Sequence, residues 1–273
     1  MTGREAHLWQ LRPGDVRGTA IPGLYLSFLS EAERGRLSRF RFPRDRDAFL
    51  LAHGLKRAAL STLFPHVAPS AWRFTTGPFG KPEAVGPGER LAVRFSITHT
   101  DGLVAVLTAP GVDCGVDAEP VRRPRDVAPL IRTTLTPPER ARLEALPPQA
   151  RAEHFCGLWT LKEAYAKARG LGLRLPFDRI GFRTGEDGRI HAHFGPGMDD
   201  RTDRWTFARW TVDRRHVVSA ALRRDQHGEV RIVRQTAPPV PKSPAGPSDP
   251  AALEVAHYCA DGPMGAAYRR ITD

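Results

Sequence analysis

The sequence predicts an α+β fold, and three observations carry that prediction. Strand-like runs gather in groups before and after helical runs instead of alternating with them one by one. Apolar residues recur at helical spacing over Asp45–Leu63, and a long helix is predicted over Ala150–Arg169. The break Ala109-Pro110-Gly111 divides the chain into parts of similar layout. A local echo links Arg73-Phe74-Thr75-Thr76-Gly77 to Gly181-Phe182-Arg183-Thr184-Gly185, although it is too short to establish a duplication.

The elements follow in order. His7–Leu11 reads as a first strand. Ser30 with Glu33 forms a capping box, so a helix starts there, with Leu37 and Phe40 on its apolar side. In the next helix Ala48, Leu51, Ala52, Leu55, Ala58, Ala59 and Leu63 form the buried stripe. Trp72–Thr76 is strand-like and is followed by the turn Gly77-Pro78-Phe79-Gly80-Lys81-Pro82. Ala92–Ile97, Leu103–Thr108 and Val112–Glu119 are further strands. Arg122–Leu135 is irregular and rich in arginine and proline. Thr136, Pro137 and Glu139 open another helix, and Gly170 stands where the long helix after it should be capped. Ile180–Thr184, Trp205–Val212 and His216–Leu222 close the fold as strands. From Thr236 to Pro250 six of fifteen residues are proline, which predicts an extended linker and a flexible tail over 236–273.

Composition sets the broad class. At 273 residues, 41% hydrophobic and 26% charged, the chain suits a soluble globular protein with a real core. No apolar run approaches the roughly 18 to 20 residues that span a bilayer, and no secretory signal is evident, so a cytoplasmic protein without a membrane partner is expected. Cys114, Cys156 and Cys259 match no zinc or redox spacing. The net charge of +11 attracts polyanions, whether nucleic acid, a nucleotide-like coenzyme or an acidic protein. Motifs must decide among these.

Gly115-Val116-Asp117-Ala118-Glu119 is the sharpest of the motifs. On a strand, Val112, Cys114, Val116 and Ala118 share a small apolar face, while Asp113, Gly115, Asp117 and Glu119 share the other. Asp117 and Glu119 thus point the same way, as hard oxygen ligands for Mg²⁺ do; a solvated strand end would carry the same pattern. In Trp159-Thr160-Leu161-Lys162-Glu163-Ala164-Tyr165-Ala166-Lys167, Glu163 and Lys167 stand i, i+4 on one helix face. Beside a metal such a pair could move a proton and neutralise a phosphate, and in isolation it would be an ordinary helix ion pair. Lys81 on its Gly/Pro turn is a rigidly placed cation, and Thr98 and His99 offer donors at a strand end.

In order and spacing these pieces resemble the Sfp-type 4′-phosphopantetheinyl transferases. The chain has the Gly-Lys-Pro turn, the strand end Ser96-Ile97-Thr98-His99, Gly-x-Asp-x-Glu and Trp-x-x-Lys-Glu-x-x-x-Lys. Gly170-Leu171-Gly172-Leu173, Leu175-Pro176-Phe177 and the basic Arg39–Arg57 region extend the likeness, which covers roughly residues 7–225.

The resemblance implies two pseudo-symmetric α/β halves, residues 1–111 and 112–235. The activity it implies is transfer of the phosphopantetheine arm of coenzyme A to a serine of an apo acyl or peptidyl carrier protein, with release of 3′,5′-ADP. It further implies that Asp117, Glu119 and Glu163 hold Mg²⁺, or Mn²⁺ in its place. Glu163 takes the serine proton and Lys167 serves the leaving group. Lys81, Thr98, His99, Asp117, Lys162 and Lys167 are implied as coenzyme contacts. Where the family places a coenzyme-binding arginine this chain has Ala48, and Arg44 or Arg46 is expected to substitute. Ser96 replaces a common Asn, and Thr98 a common Ser. Arg122, Arg123, Arg125 and Arg132, interleaved with Leu130, Ile131 and Leu135, form the expected docking segment for an acidic carrier. A single chain with two halves suggests a monomer.

Three rival functions are weighed against this one. A nucleic-acid-binding module explains the charge but not the aligned carboxylates, and lacks interleaved aromatics or a groove-reading helix. A metal-dependent hydrolase of nucleotide diphosphates shares the carboxylates but lacks the signature helices of the common families. A non-catalytic relative would not need Asp117, Glu119, Glu163 and Lys167 intact.

Overall fold

The computed structural model describes residues 5–77, 79–87, 93–121, 128–224, 228, 230–235 and 237–241. The chain begins with strand β1 (Glu5–Leu11) and helices α1 (Pro13–Val16), α2 (Ile21–Phe28), α3 (Glu31–Leu37) and α4 (Pro43–Leu63). The hairpin β2 (Arg73–Thr76) and β3 (Pro82–Val85) follows, then β4 (Val93–Thr100) and β5 (Leu103–Pro110). Next come β6 (Cys114–Pro120), α5 (Ala128–Thr134), α6 (Pro137–Ala145) and α7 (Pro148–Arg169). Strands β7 (Ile180–Thr184), β8 (Ile190–Phe194), β9 (Trp205–Val212), β10 (His216–Arg223) and β11 (Arg231–Gln235) finish the described chain.

The strands form a four-stranded sheet in the order β11-β1-β5-β4, a three-stranded sheet β6-β10-β9, and the hairpins β2-β3 and β7-β8. All pairings are antiparallel except β1 with β11. The fold is therefore α+β, as the sequence predicts. Helix α4 packs on the first sheet, and α7 packs on β6 and β10 of the second. Leu103–Ala109 of β5 is buried throughout, because β1 and β4 flank the strand and α4 packs against it.

Both expected capping boxes are present, at Ser30 with Glu33 and at Thr136 with Glu139. In each, the glutamate also reaches the long helix that follows. Glu33 accepts hydrogen bonds from Arg57 at 2.6 Å and His53 at 2.8 Å, with Lys56 at 3.4 Å. Burial pushes the Glu33 carboxyl up, but these bonds, that of the Ser30 N–H and the two cations outweigh it, and the group stays far below the usual range. Glu139 accepts from Lys162 at 2.8 Å and from the Phe182 N–H at 2.8 Å.

The two sheets meet where β4 lies along β6. Ser96 on β4 accepts the Val116 N–H of β6 at 3.0 Å, so a buried hydroxyl joins the strand edges. The shorter side chain that replaces the family's Asn therefore serves as a staple.

Several elements depart from the sequence reading. Part of the segment expected to be irregular, Ala128–Thr134, is helix α5, while Arg122, Arg123 and Arg125 lie outside the described residues. Helix α2 and strands β3, β8 and β11 add to the predicted set. The tail is not loose from residue 236 onward: Pro238 and Pro239 are buried, and the Tyr25 hydroxyl donates to the Pro239 carbonyl at 3.3 Å. The cause is β11, which returns beside β1, with Glu5 opposite Arg231 and Trp9 opposite Gln235, and leads the following prolines onto the first core. Residues 242–273 lie outside the described set.

Candidate active site

Gly115 explains why the acidic strand and the long helix can touch. A Cβ there would lie 1.9 Å from the Ala164 carbonyl oxygen and 2.5 Å from the Ala168 nitrogen, so only glycine lets α7 rest directly on β6. Strand alternation does the rest. Cys114, Val116 and Ala118 enter the first hydrophobic core, and Asp117 emerges on Gly115's side beside the helix.

Asp117 is the centre of the resulting cluster. Its side chain is buried, and Oδ1 accepts from Lys167 Nζ at 2.6 Å and from Thr98 Oγ1 at 3.2 Å. Its Oδ2 is buried with no hydrogen-bond partner. A buried carboxylate oxygen without a donor is costly, which points to a cationic or donor ligand at that position. Glu163 stands one turn before Lys167 on α7. Burial, together with the charges of Asp117 and Glu119 and against the pull of Lys167, raises its carboxyl to about 6. Among the described residues no group of three or more His, Cys, Asp and Glu is arranged to hold a metal ion.

Two cavities flank the cluster along β4. Phe95, Ser96 and Ile97 face an elongated cleft of about 240 Å³ that is also walled by Phe79, Lys81 and Lys167. Lys81 donates to the Ala168 carbonyl at 2.6 Å, at the negative end of α7, and its stem packs on Gly170. On the other side His99, Thr100 and Asp101 line a cavity of about 670 Å³ with Arg17, Arg36 and Arg44. Desolvation and the cation Lys167, with Arg36 behind it and Asp45 opposing, pull the His99 imidazole below its ordinary pKa. Thr98 lies between the two cavities.

Most of the predicted residues meet here: Asp117, Glu119, Glu163, Lys167, Lys81, Thr98 and His99. Lys162 does not, and its expected coenzyme contact is corrected. It is wholly buried among Glu139 and the carbonyls of Phe177 and Ile180, to which it donates. One residue along a helix turns a side chain by about 100°, so Lys162 faces inward where Glu163 faces the site. Of the two candidate arginines, Arg44 lines the basic cavity, while Arg46 lines a separate groove with Gly23, Leu26 and Arg34. Sequence reading missed Arg17 and Arg36, for which nothing local distinguishes a cavity-facing arginine from an ordinary surface one. The expected docking segment is visible only in part: Leu130 is exposed, whereas Leu135 is core.

A family model described as the 4′-phosphopantetheinyl transferase superfamily matches residues 113–221. The 4′-phosphopantetheinyl transferase HetI of Nostoc is 31% identical over 172 residues, 62% of this chain and 70% of its own length. The Bacillus subtilis transferase Sfp is 27% identical over 166 residues, 61% of this chain and 71% of its own. A solved holo-[acyl-carrier-protein] synthase from Neisseria meningitidis superposes with a TM-score of 0.36 at 21% identity, covering 41% of this chain and 98% of that one.

Proposed function

This chain belongs to the 4′-phosphopantetheinyl transferase superfamily, and we infer from that membership and from its site that it transfers the phosphopantetheine arm of coenzyme A to carrier proteins. The observation that carries the residue assignment is Asp117. It is held between Thr98 of the first sheet and Lys167 of the second part's helix, with one buried oxygen left over.

The donor set suits a divalent cation. Asp117 Oδ2 lacks a partner, and burial together with the charges of Asp117 and Glu119 raises the Glu163 carboxyl. The expected ion is Mg²⁺, which is held by few carboxylates and keeps water and substrate oxygens, with Mn²⁺ as a substitute. Asp117, Glu119 and Glu163 would hold it. When bound it neutralises diphosphate charge.

The chain's own residues supply the rest. The carrier serine hydroxyl forms a new P–O bond to the β-phosphorus of coenzyme A, and the bridging P–O bond breaks to release 3′,5′-ADP. Glu163 accepts the serine proton, directly or through a water. Lys167 Nζ stabilises the departing oxygen. Arg44 and His99 receive the 3′-phosphate in the basic cavity, and Lys81 faces the coenzyme from the opposite cleft. The Arg132 and Leu130 surface of α5, in the segment that follows β6, meets an acidic, partly apolar carrier face.

The reading is of a cytoplasmic monomer that acts without nucleic acid. The monomer is supported by residues of both parts converging on one site.

The test is incubation with coenzyme A, Mg²⁺ and a panel of apo carrier proteins, followed by intact mass. A gain of one phosphopantetheine that requires Mg²⁺ and disappears in Glu163→Gln supports the assignment. Failure to bind coenzyme A overturns it.

A further inference from the structure

The tight turn between β9 and β10 touches two separate walls of the basic cavity. Asp213 and Arg214 sit there in the left-handed region, with φ of 50° and 53°, an uncommon conformation for residues with side chains. From this turn Asp213 accepts a hydrogen bond from Arg12. Arg12 also holds Asp15 through two bonds, at 2.7 and 3.0 Å. It directly precedes α1, whose Pro13 and Gly14 line the cavity. Just past the turn, His216 is buried and its Nε2–H donates to the Asp101 carbonyl at 2.8 Å. Asp101 belongs to the β4–β5 turn, and Thr100, Asp101 and Gly102 form the opposite wall beside His99. Gly102 has φ of 84°, and a Cβ there would lie 3.6 Å from the His216 ring, so the imidazole also packs against the turn.

The same hairpin is tied to the acidic strand. In the β6–β10 ladder His216 pairs with Pro120 and Val217 with Glu119. One end of the hairpin therefore fixes both cavity walls relative to Glu119. The contacts join residues 115 and 201 positions apart in sequence, so no local preference requires them.

We propose that His216, assisted by Asp213, is a positioning residue for coenzyme recognition. It braces the β4–β5 turn so that His99 and the cavity arginines meet the coenzyme's 3′-phosphate at a fixed distance from the acidic cluster. This rests on the assignment of the basic cavity to the 3′-phosphate. A brace of this kind changes recognition of that phosphate and leaves transfer chemistry at Glu163 alone.

The experiment compares coenzyme A with 3′-dephospho-coenzyme A as donors to one apo carrier protein, for the unmodified chain and for His216→Ala, His216→Gln and Asp213→Ala. Thermal melting would be recorded alongside. The unmodified chain should prefer coenzyme A. His216→Ala should raise KM for coenzyme A about fivefold, the scale of one lost hydrogen bond. Its kcat and its KM for the dephospho donor should stay within about twofold. His216→Gln, which retains an N–H donor, should recover part of the loss, and Asp213→Ala should shift the same ratio in the same direction. Equal losses on both donors, or no change in a folded His216→Ala protein, would overturn the brace. An unmodified chain that transfers equally well from both donors would overturn it too, while leaving the transfer activity standing. Absence of any transfer would count against the activity itself, and this proposal would fall with it.

Discussion

The two long helices are anchored alike, and only the second carries the proposed reacting groups. In each part a short helix opens with a capping box whose glutamate binds a buried cation on the next long helix. Glu33 takes Arg57 in the first part, and Glu139 takes Lys162 in the second. The sequence separations are 24 and 23 residues. One position beyond each cation the parts diverge: Ala58 follows Arg57, but Glu163 follows Lys162. Four residues further on stand Thr62 and Lys167. The shared device holds helices together, and the reacting groups were placed on an outward face of one helix only. That contrast also explains Lys162. It sits within the motif but belongs to the scaffold, as Arg57 does.

The comparison can be broken most sharply at Glu163. Glu163→Gln should lower the rate of transfer by roughly 10² to 10⁴, the range for loss of a general base, with no fall in melting temperature. A rate within tenfold of the unmodified chain would mean that the second helix is scaffold as well.

The buried cations should differ in weight. Lys162→Met leaves the buried Glu139 carboxylate without a cation, which costs on the order of 3–5 kcal/mol in urea unfolding. Arg57→Met should cost less, because Glu33 keeps Lys56 and His53. Replacing Lys162 and Glu139 together by apolar residues should recover only part of the Lys162→Met loss, because the Thr136 and Phe182 N–H groups then lose their acceptor. A Lys162→Met protein of unchanged stability and raised KM for coenzyme A would return Lys162 to the site.

The glycines under the helices separate the parts at slightly lower energy. Gly115→Ala drives a methyl into the backbone of α7, whereas Gly54→Ala meets the side chain of Tyr25, with its Cβ 2.3 Å away. Both should destabilise, Gly115→Ala by about 3 kcal/mol and Gly54→Ala by less, because Tyr25 Cβ can move only with the short helix α2, whereas Gly115 meets the backbone of the long helix α7. Equal losses would mean that Tyr25 is as fixed as the helix.

The smallest effect is on pH dependence. Glu163's carboxyl is raised from 4.5 to about 6, so the folded, metal-free protein binds more protons than the unfolded chain between those values. Stability therefore falls as pH rises through about 4.5 to 6 and is constant with respect to this group above that window. Glu163→Gln should remove the loss and be more stable at pH 7 by about 1 kcal/mol, after allowance for solvent screening of a partly exposed group. Urea midpoints across the window, with and without Mg²⁺, measure it. In the unmodified chain Mg²⁺ should reduce the difference by favouring the ionised carboxyl.

Much of this was legible before the fold was known. Capping residues mark helix starts because they act on their own neighbours, so Ser30, Thr136 and Gly170 announced their helices. Alternation on β6 put Asp117 and Glu119 on the helix side, and i, i+4 spacing aligned Glu163 with Lys167. These are short-range rules of strand and helix geometry. Only the tertiary structure brought Thr98 to Asp117, joined Ser96 to Val116, turned Lys162 toward Glu139 and chose Arg44 over Arg46 for the basic cavity. It alone returned β11 to β1 and set the turn after β9 against both cavity walls. The reason is physical. Sheet pairing and helix docking decide which distant faces meet, and many pairings satisfy the same local pattern until the whole core is packed.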